Sequence, residues 1–191
     1  MDKTAFKSIR ARLYADIACH LMTSGLVKYV DLYNNQFAHL EEEKIMQFPC
    51  ALVEFREIAW RQLGRHAQRG DLLLDIHVAT KAAGKTSAVG RTLTPAIEYF
   101  ELLDALHVAM RDLRLDYAGT FSRVGSATDH DHDSLLVNVE TYRVGITDLA
   151  AVPETRLASV GIEIGEVTAN TGKPITVNFG HPAPRKGRGN D

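Results

Sequence analysis

The sequence contains little of what usually identifies an activity. Its 191 residues include two cysteines, too few for a disulfide framework. Cys19 and Cys50 each stand among apolar neighbours, which predicts two buried thiols in a reducing compartment. No serine or cysteine occupies a recognisable nucleophile elbow, and no HxxxH or HxxEH spacing is present. No catalytic signature therefore decides the function.

Signals for membranes and for secretion are also missing. No apolar run approaches the ~18 residues of a membrane span. The stretch MDKTAFKSIRARLYADI is amphipathic and charged throughout, unlike a secretory signal. The net charge of -2 provides no global attraction to nucleic acid or membrane, so such binding would have to be local. With 45% hydrophobic and 24% charged residues, the composition is that of a soluble globular protein acting inside a cell.

Apolar periodicity predicts two amphipathic helices. The first spans residues 4 to 22 with Thr4 as its N-cap, and the second runs from about 95 to 114. Thr94 is the predicted cap of the second helix, and Pro95 occupies its first turn. The predicted buried faces are Phe6, Ile9, Leu13, Ile17 and Leu21 in the first helix, and Ala96, Tyr99, Leu103, Leu106, Met110 and Leu113 in the second, with Phe100 and His107 alongside.

The remaining segments of the main domain read as strands. Residues 34 to 44 form a polar connection with a helical turn, and 59 to 70 are a hairpin turn or an extension of both flanking strands. The order of elements predicts an α+β fold, with two helices packed on a mostly antiparallel sheet. The predicted strands are 27 to 33, 48 to 58, 71 to 80, 117 to 125 and 134 to 147.

The composition of the chain changes at about residue 151. Residues 1 to 150 form the predicted α+β domain, and 151 to 191 form a C-terminal extension that contains most of the prolines. LASVGIEIGEV and ITVNF within it are candidate strands for this domain's edge or for a neighbour's. Its last nine residues are rich in proline, glycine and basic side chains, which predicts disorder.

ATKAAGKT, residues 79 to 86, fits the loose form of a phosphate-binding loop. Lys85 and Thr86 would contact the phosphates and magnesium. Such a loop has to open directly into a helix, whereas residues 87 to 93 intervene here. Ala79 also replaces the first glycine, which hinders the tight backbone wrap. A strand–helix loop is therefore the preferred interpretation.

TDHDHD, residues 128 to 133, is the most concentrated polar stretch. Asp129, Asp131, His130 and His132 are candidate metal ligands, but a stable site needs further ligands from elsewhere in the fold. Paired-carboxylate catalysis is a further alternative. The simpler interpretation is a charged turn between two strands, which opposes unwanted edge pairing. The residues able to complete a metal site, if the fold delivers them, are His66, His77, His107, Glu140 and Asp148.

WRQLGRHAQRG, residues 60 to 70, combines three arginines with the single tryptophan. Basic residues beside an aromatic side chain can contact a nucleic-acid backbone and stack a base. More often, such a stretch is a solvated hairpin whose aromatic residue packs down, or an interface patch. The second interpretation is preferred.

The layout of residues 4 to 149 resembles that of the small tail-terminator and tail-completion proteins of tailed phages and prophages. The resemblance rests on an amphipathic N-terminal helix followed by FPCALVEFREIAW and DLLLDIHVAT, and then on the helix AIEYFELLDALHVAM. An acidic-histidine turn then precedes a strand that carries Tyr142, within FSRVGSATDHDHDSLLVNVETYRVGITD. Residues beyond 151 have no counterpart in it.

This resemblance implies a structural virion protein rather than an enzyme, without a cofactor, located in the virion and the host cytoplasm. Such proteins form rings, often hexameric, that end the tail tube and join it to the head connector, with DNA passing through. The hairpin 50 to 80 and the pair 117 to 147 would supply subunit contacts. The alternative is a metal- or nucleotide-dependent enzyme that uses the Asp129–Asp133 cluster or the 79–86 loop. The implied interface residues are Arg61, Arg65 and Arg69 of one subunit and Asp129, Asp131 and Asp133 of the next.

Overall fold

A computed structural model describes residues 8–39, 45–81, 93–132 and 134–152. These residues form two α-helices, one short 3-10 helix and five strands. No described helix is long and apolar enough to cross a membrane. In chain order the elements are α1 (Ile9–Ser24), β1 (Tyr29–Leu32), the 3-10 helix (Gln36–His39), β2 (Cys50–Gln62), β3 (Gln68–Lys81), α2 (Thr94–Asp112), β4 (Ser122–Asp129) and β5 (Leu135–Asp148).

The five strands form one sheet in the order β1-β2-β3-β5-β4. β1 runs parallel to β2, and the other neighbours are antiparallel. Both helices pack against one face of this sheet, so the predicted α+β fold is confirmed. We name that side the helix face and the opposite side the outer face.

Successive side chains of each strand point alternately to the helix face and to the outer face. Leu72, Leu74, Ile76 and Val78 of β3 point to the helix face and join α1 and α2 in the main core. A smaller apolar cluster covers one end of the outer face. Its buried members are Phe37, Cys50, Leu52, Ala79, Leu135 and Val137.

Helix α1 begins at Ile9, whereas the predicted helix began at residue 4. Ser8 is its N-cap, and the Ser8 hydroxyl accepts a hydrogen bond from the Ala11 amide. The predicted cap Thr4 and the stripe residue Phe6 lie outside the described residues. Gly25 ends the helix with a φ of 71°, a left-handed conformation that costs glycine little. The predicted stripe is confirmed at Leu13, Ile17 and Leu21, which are fully buried.

Helix α2 agrees with its predicted range but differs at two points. Leu93, not Thr94, is the N-cap, and no side chain caps the helix. Phe100, predicted beside the buried face, is 63% exposed because the helix turns it toward solvent beside β4. The buried face otherwise agrees, with Tyr99, Leu103, Leu106, Met110 and Leu113 inside.

Most of residues 59 to 70 extend β2 and β3, which is the second of the two predicted alternatives for this segment. Only residues 63 to 67 form the turn, and the Leu63 amide donates to the Ala67 carbonyl at 2.9 Å. Of the predicted strand–helix loop at 79 to 86, residues 79 to 81 belong to β3, and residues 82–92, which include Lys85 and Thr86, lie outside the described residues. Residues 153–191 of the predicted extension also lie outside them.

Gly70 should tolerate no side chain. A Cβ built there would stand 2.7 Å from Ile58 Cγ2 and 2.9 Å from Trp60 Cζ3, on the packed helix face. We expect Gly70→Ala to lower the free energy of unfolding by about 1–3 kcal/mol, because the neighbours must leave their packed positions. Urea denaturation measures this loss. Gly64→Ala is the control, because no atom lies within 4 Å of its Cβ; equal stability of the two variants would contradict the packing described.

Candidate functional site

A concentration of positive charge lies on the outer face. Arg61 and Arg69 are direct partners across β2 and β3, and Arg143 of β5 lies on the same face. Together with Asp71 they line an open groove of about 710 Å³, hereafter the basic groove. Its remaining walls include Ala59, Leu63, Thr120, Ser122, Val124 and Gly145.

The arginines of the basic groove are poorly neutralised. Arg143 Nε stands 3.9 Å from Asp71 Oδ1, and both side chains are half-exposed. Arg69 lies across Gly145, with Nη2 3.3 Å from where a Cβ would stand. Neither Arg61 nor Arg69 has an ion-pair partner among the described residues. Like charges placed opposite each other on neighbouring strands destabilise a sheet, so this pair favours an anionic partner.

Of the predicted basic residues, the structure brings Arg61 and Arg69 together but not Arg65. Arg65 lies in the exposed hairpin turn and lines a separate small groove with His66 and Asp148. Trp60 points to the helix face, so it cannot stack a base held by Arg61. Arg143 was missed because its place beside the other arginines depends on the β3–β5 register, which no local pattern reveals.

The acidic stretch forms the tip of the β4–β5 hairpin, as predicted for a charged turn. Asp129 ends β4, and its Oδ1 accepts a hydrogen bond from the Asp131 amide at 3.0 Å. Its Oδ2 lies 3.3 Å from His132 Nε2. Asp131 and His130 are exposed, and Asp133 lies outside the described residues. The tip therefore presents Asp131 freely, while Asp129 also stabilises the turn.

The proposed metal ligands do not assemble. Among the described residues, no three His, Cys, Asp or Glu side chains could hold a metal ion together. His132 packs edge-on against Phe37, with ring centroids 5.4 Å apart. Glu140 and His107 lie on the helix face, whereas Asp129 and His77 belong to the outer face. His66 and Asp148 lie at the far end of the sheet, beside Arg65.

The acidic tip and the basic groove lie at opposite ends of the sheet. Asp129 pairs with Val137 of β5, and Arg69 pairs with Thr147 of the same strand. At ~3.3 Å per residue, these positions are about 33 Å apart. The two charged surfaces therefore cannot neutralise each other within one chain.

A histidine–carboxylate pair occupies the middle of the outer face. His77 is buried, with Nε2 2.9 Å from Glu54 Oε2, and the ring of Tyr33 stacks on it at 3.7 Å. Burial, and then the charges of Asp129 and Glu54, raise the pKa of Tyr33 and keep it neutral. His77 Nδ1 and Asp75 Oδ1 are buried without a described hydrogen-bond partner. The stacked rings thus connect the sheet centre to the acidic tip through Phe37.

A second polar cluster lies under α2 on the helix face. Glu140 is fully buried and accepts hydrogen bonds from Ser126 Oγ and Asn138 Nδ2, each at 2.6 Å. Arg123 Nη1 stands 3.3 Å from Glu140 and 3.4 Å from Asp104, so one guanidinium serves two carboxylates. Burial, followed by the charge of Glu140, raises the pKa of Tyr99 to about 12. An open groove of about 580 Å³ reaches this cluster between α2 and β4.

The two thiols are not alike. Cys19 is exposed on α1, so the prediction that both thiols are buried is wrong for this residue. It falls beside the buried stripe of the helix rather than on it. Cys50 is buried where β2 begins, and burial raises the pKa of its thiol to about 12.

No protein-family model matches the sequence, and no curated protein matches it significantly. Function therefore has to be inferred from the fold, from the two charged ends of the sheet and from the grooves beside them.

The thiol difference predicts two classes of reactivity. At pH 8 in the native state, we expect a thiol-specific reagent such as DTNB to modify Cys19 quickly and Cys50 slower by about two orders of magnitude or more, because only the thiolate reacts. Cys19→Ser should remove the fast phase, and denaturant should release both thiols. Two equally fast native phases would contradict the burial of Cys50.

Proposed function

We propose that this protein is a structural subunit of a phage or prophage virion, which assembles head to tail into a ring at the end of the tail tube. The ring would terminate or complete the tube and join it to the head connector, with DNA passing through its centre. The α+β fold, with two helices on a mostly antiparallel sheet, is the fold that the resemblance to tail-terminator and tail-completion proteins implies.

One observation carries the assembly part of the proposal: the opposite charges at the two ends of one sheet. The basic groove and the acidic tip are complementary but about 33 Å apart, so they can meet only between two copies. A contact between two different surfaces is heterologous, and it closes into a ring when the rotation between subunits permits. An anionic partner would also relieve the repulsion between Arg61 and Arg69.

Charge reversal tests this contact directly. We expect Arg61→Glu with Arg69→Glu to abolish assembly, and Asp131→Lys to weaken it strongly, because each change places like charges against each other. A 1:1 mixture of the two variants should assemble again as an alternating oligomer, since each reversed surface then meets its opposite. Light scattering and negative-stain images at several salt concentrations measure the size and its salt dependence.

Arg10→Glu is the matched control for that experiment, because Arg10 is exposed on α1 away from both charged surfaces. It should assemble as the unaltered chain does. Reversed variants that assemble unchanged, or a mixture that stays dissociated, would contradict the proposed contact.

The virion role requires a separate test in the parent phage or prophage. After deletion of the gene, we expect electron micrographs of induced lysates to show DNA-filled heads and tails that are not joined, with tails of irregular length. The gene supplied in trans should restore joined particles. Normal virions in the deletion lysate would overturn the proposed function.

A further inference from the structure

The groove between α2 and β4 combines exposed apolar side chains with excess negative charge. Phe100 is 63% exposed and Val124 is 52% exposed on opposite walls. Asp104, 74% exposed, stands at the rim, and Glu140 lies at the floor. We name this surface the α2–β4 groove.

Carboxylates outnumber cations among the described residues that line this groove. Arg123 is the one cation among them, and it is shared between Glu140 and Asp104 at 3.3 and 3.4 Å. Glu140 is fully buried and takes two further hydrogen bonds, so it fixes Arg123 against the floor. Two carboxylates and one guanidinium leave a net charge of minus one, which attracts a second cation. The exposed ring of Phe100 offers the same cation an aromatic face.

The chain itself carries an element with the complementary chemistry. The turn of the β2–β3 hairpin, residues 63 to 67, places the 59% exposed Leu63 beside exposed Arg65. Arg65 has no ion-pair partner among the described residues. The turn continues directly from the basic groove, just as the α2–β4 groove continues through Thr128 into the acidic tip.

Leu63 of the turn lines the basic groove together with Val124 of its own chain, but the turn lies far from the α2 wall and the floor of the α2–β4 groove, where Phe100, Asp104 and Glu140 stand. Gln68, at the base of the turn, pairs with Asp148, whereas Glu140 pairs with Ile76. Eight residues of β5 separate the two positions, which is about 26 Å at ~3.3 Å per residue. The occupant is therefore a second copy.

We propose that the β2–β3 turn of one copy docks in the α2–β4 groove of the next. Leu63 packs against Phe100, and Arg65 pairs with Asp104. This inference rests on the proposed head-to-tail assembly, and it extends the contact between the charged surfaces to a specific groove.

Disulfide trapping tests the docking. In a Cys19→Ser background, Leu63→Cys with Phe100→Cys should form intermolecular disulfides and give a ladder of multimers on non-reducing gels, because Phe100 lines the α2–β4 groove and not the basic groove that Leu63 lines. Mixing chains with only Leu63→Cys and chains with only Phe100→Cys should stop at heterodimers. The control pair is Leu63→Cys with Met22→Cys, because Met22 is 47% exposed on α1 and should give no ladder.

A charge exchange gives an independent readout. Arg65→Asp and Asp104→Arg should each weaken self-association about tenfold, and the double variant should recover it. If oligomers form but the Leu63–Phe100 pair stays reduced, or the control pair links equally, the docking is wrong while the assembly stands. That result is also expected if another protein fills the groove. If the unaltered chain forms no oligomer, both the assembly and the docking are overturned.

Discussion

The register of β3 against its two neighbours is the constraint on which the rest of the structure depends. β3 pairs with β2 from Gln68 to Ala79 on one side and with β5 from Gln68 to Lys81 on the other. Its even-numbered residues from Leu72 to Val78 hold both helices, and its odd-numbered residues form the outer face. A slip by one residue would exchange the two faces and bury Arg69, Asp71 and Asp75 under the helices. The burial of four aliphatic side chains thus fixes where every charge of the outer face lies.

Local pattern was sufficient to predict the elements but not their pairing. Leucines and isoleucines at helical spacing predict α1 and most of α2. Each predicted strand overlaps an observed one, but the prediction of a strand over 117 to 125 is wrong in its bounds, because β4 runs from Ser122 to Asp129 and so includes the start of the acidic stretch. Capping was less predictable, because Thr94 has the right chemistry and yet Leu93 occupies the N-cap. Phe100 was misplaced for a similar reason: helical spacing puts it beside the buried face, but the width of the contact with the sheet decides what is covered.

The candidate site was predictable only in its parts. Arg61, Arg69 and the acidic tip are visible in the sequence as charged runs. That Arg61 faces Arg69, that Arg143 joins them and that Glu140 is buried beneath α2 all depend on contacts between distant strands. The candidate metal ligands depend on distant contacts in the same way. Histidine and aspartate alternate correctly at 128–133, but the sheet separates them from Glu140 and His107.

Two local arrangements raise the free energy of the isolated chain, and an assembly of the proposed kind would lower it. Arg61 opposite Arg69 places like charges on neighbouring strands, and Phe100 beside Val124 leaves apolar surface in water. Arg123 is shared by two carboxylates, which leaves that groove short of one cation. In the proposed contact a second copy would supply what each lacks, because the acidic tip would neutralise the arginines while Leu63 and Arg65 would cover the groove. One head-to-tail contact would therefore resolve both, and this coincidence favours assembly over a small-molecule ligand at either groove.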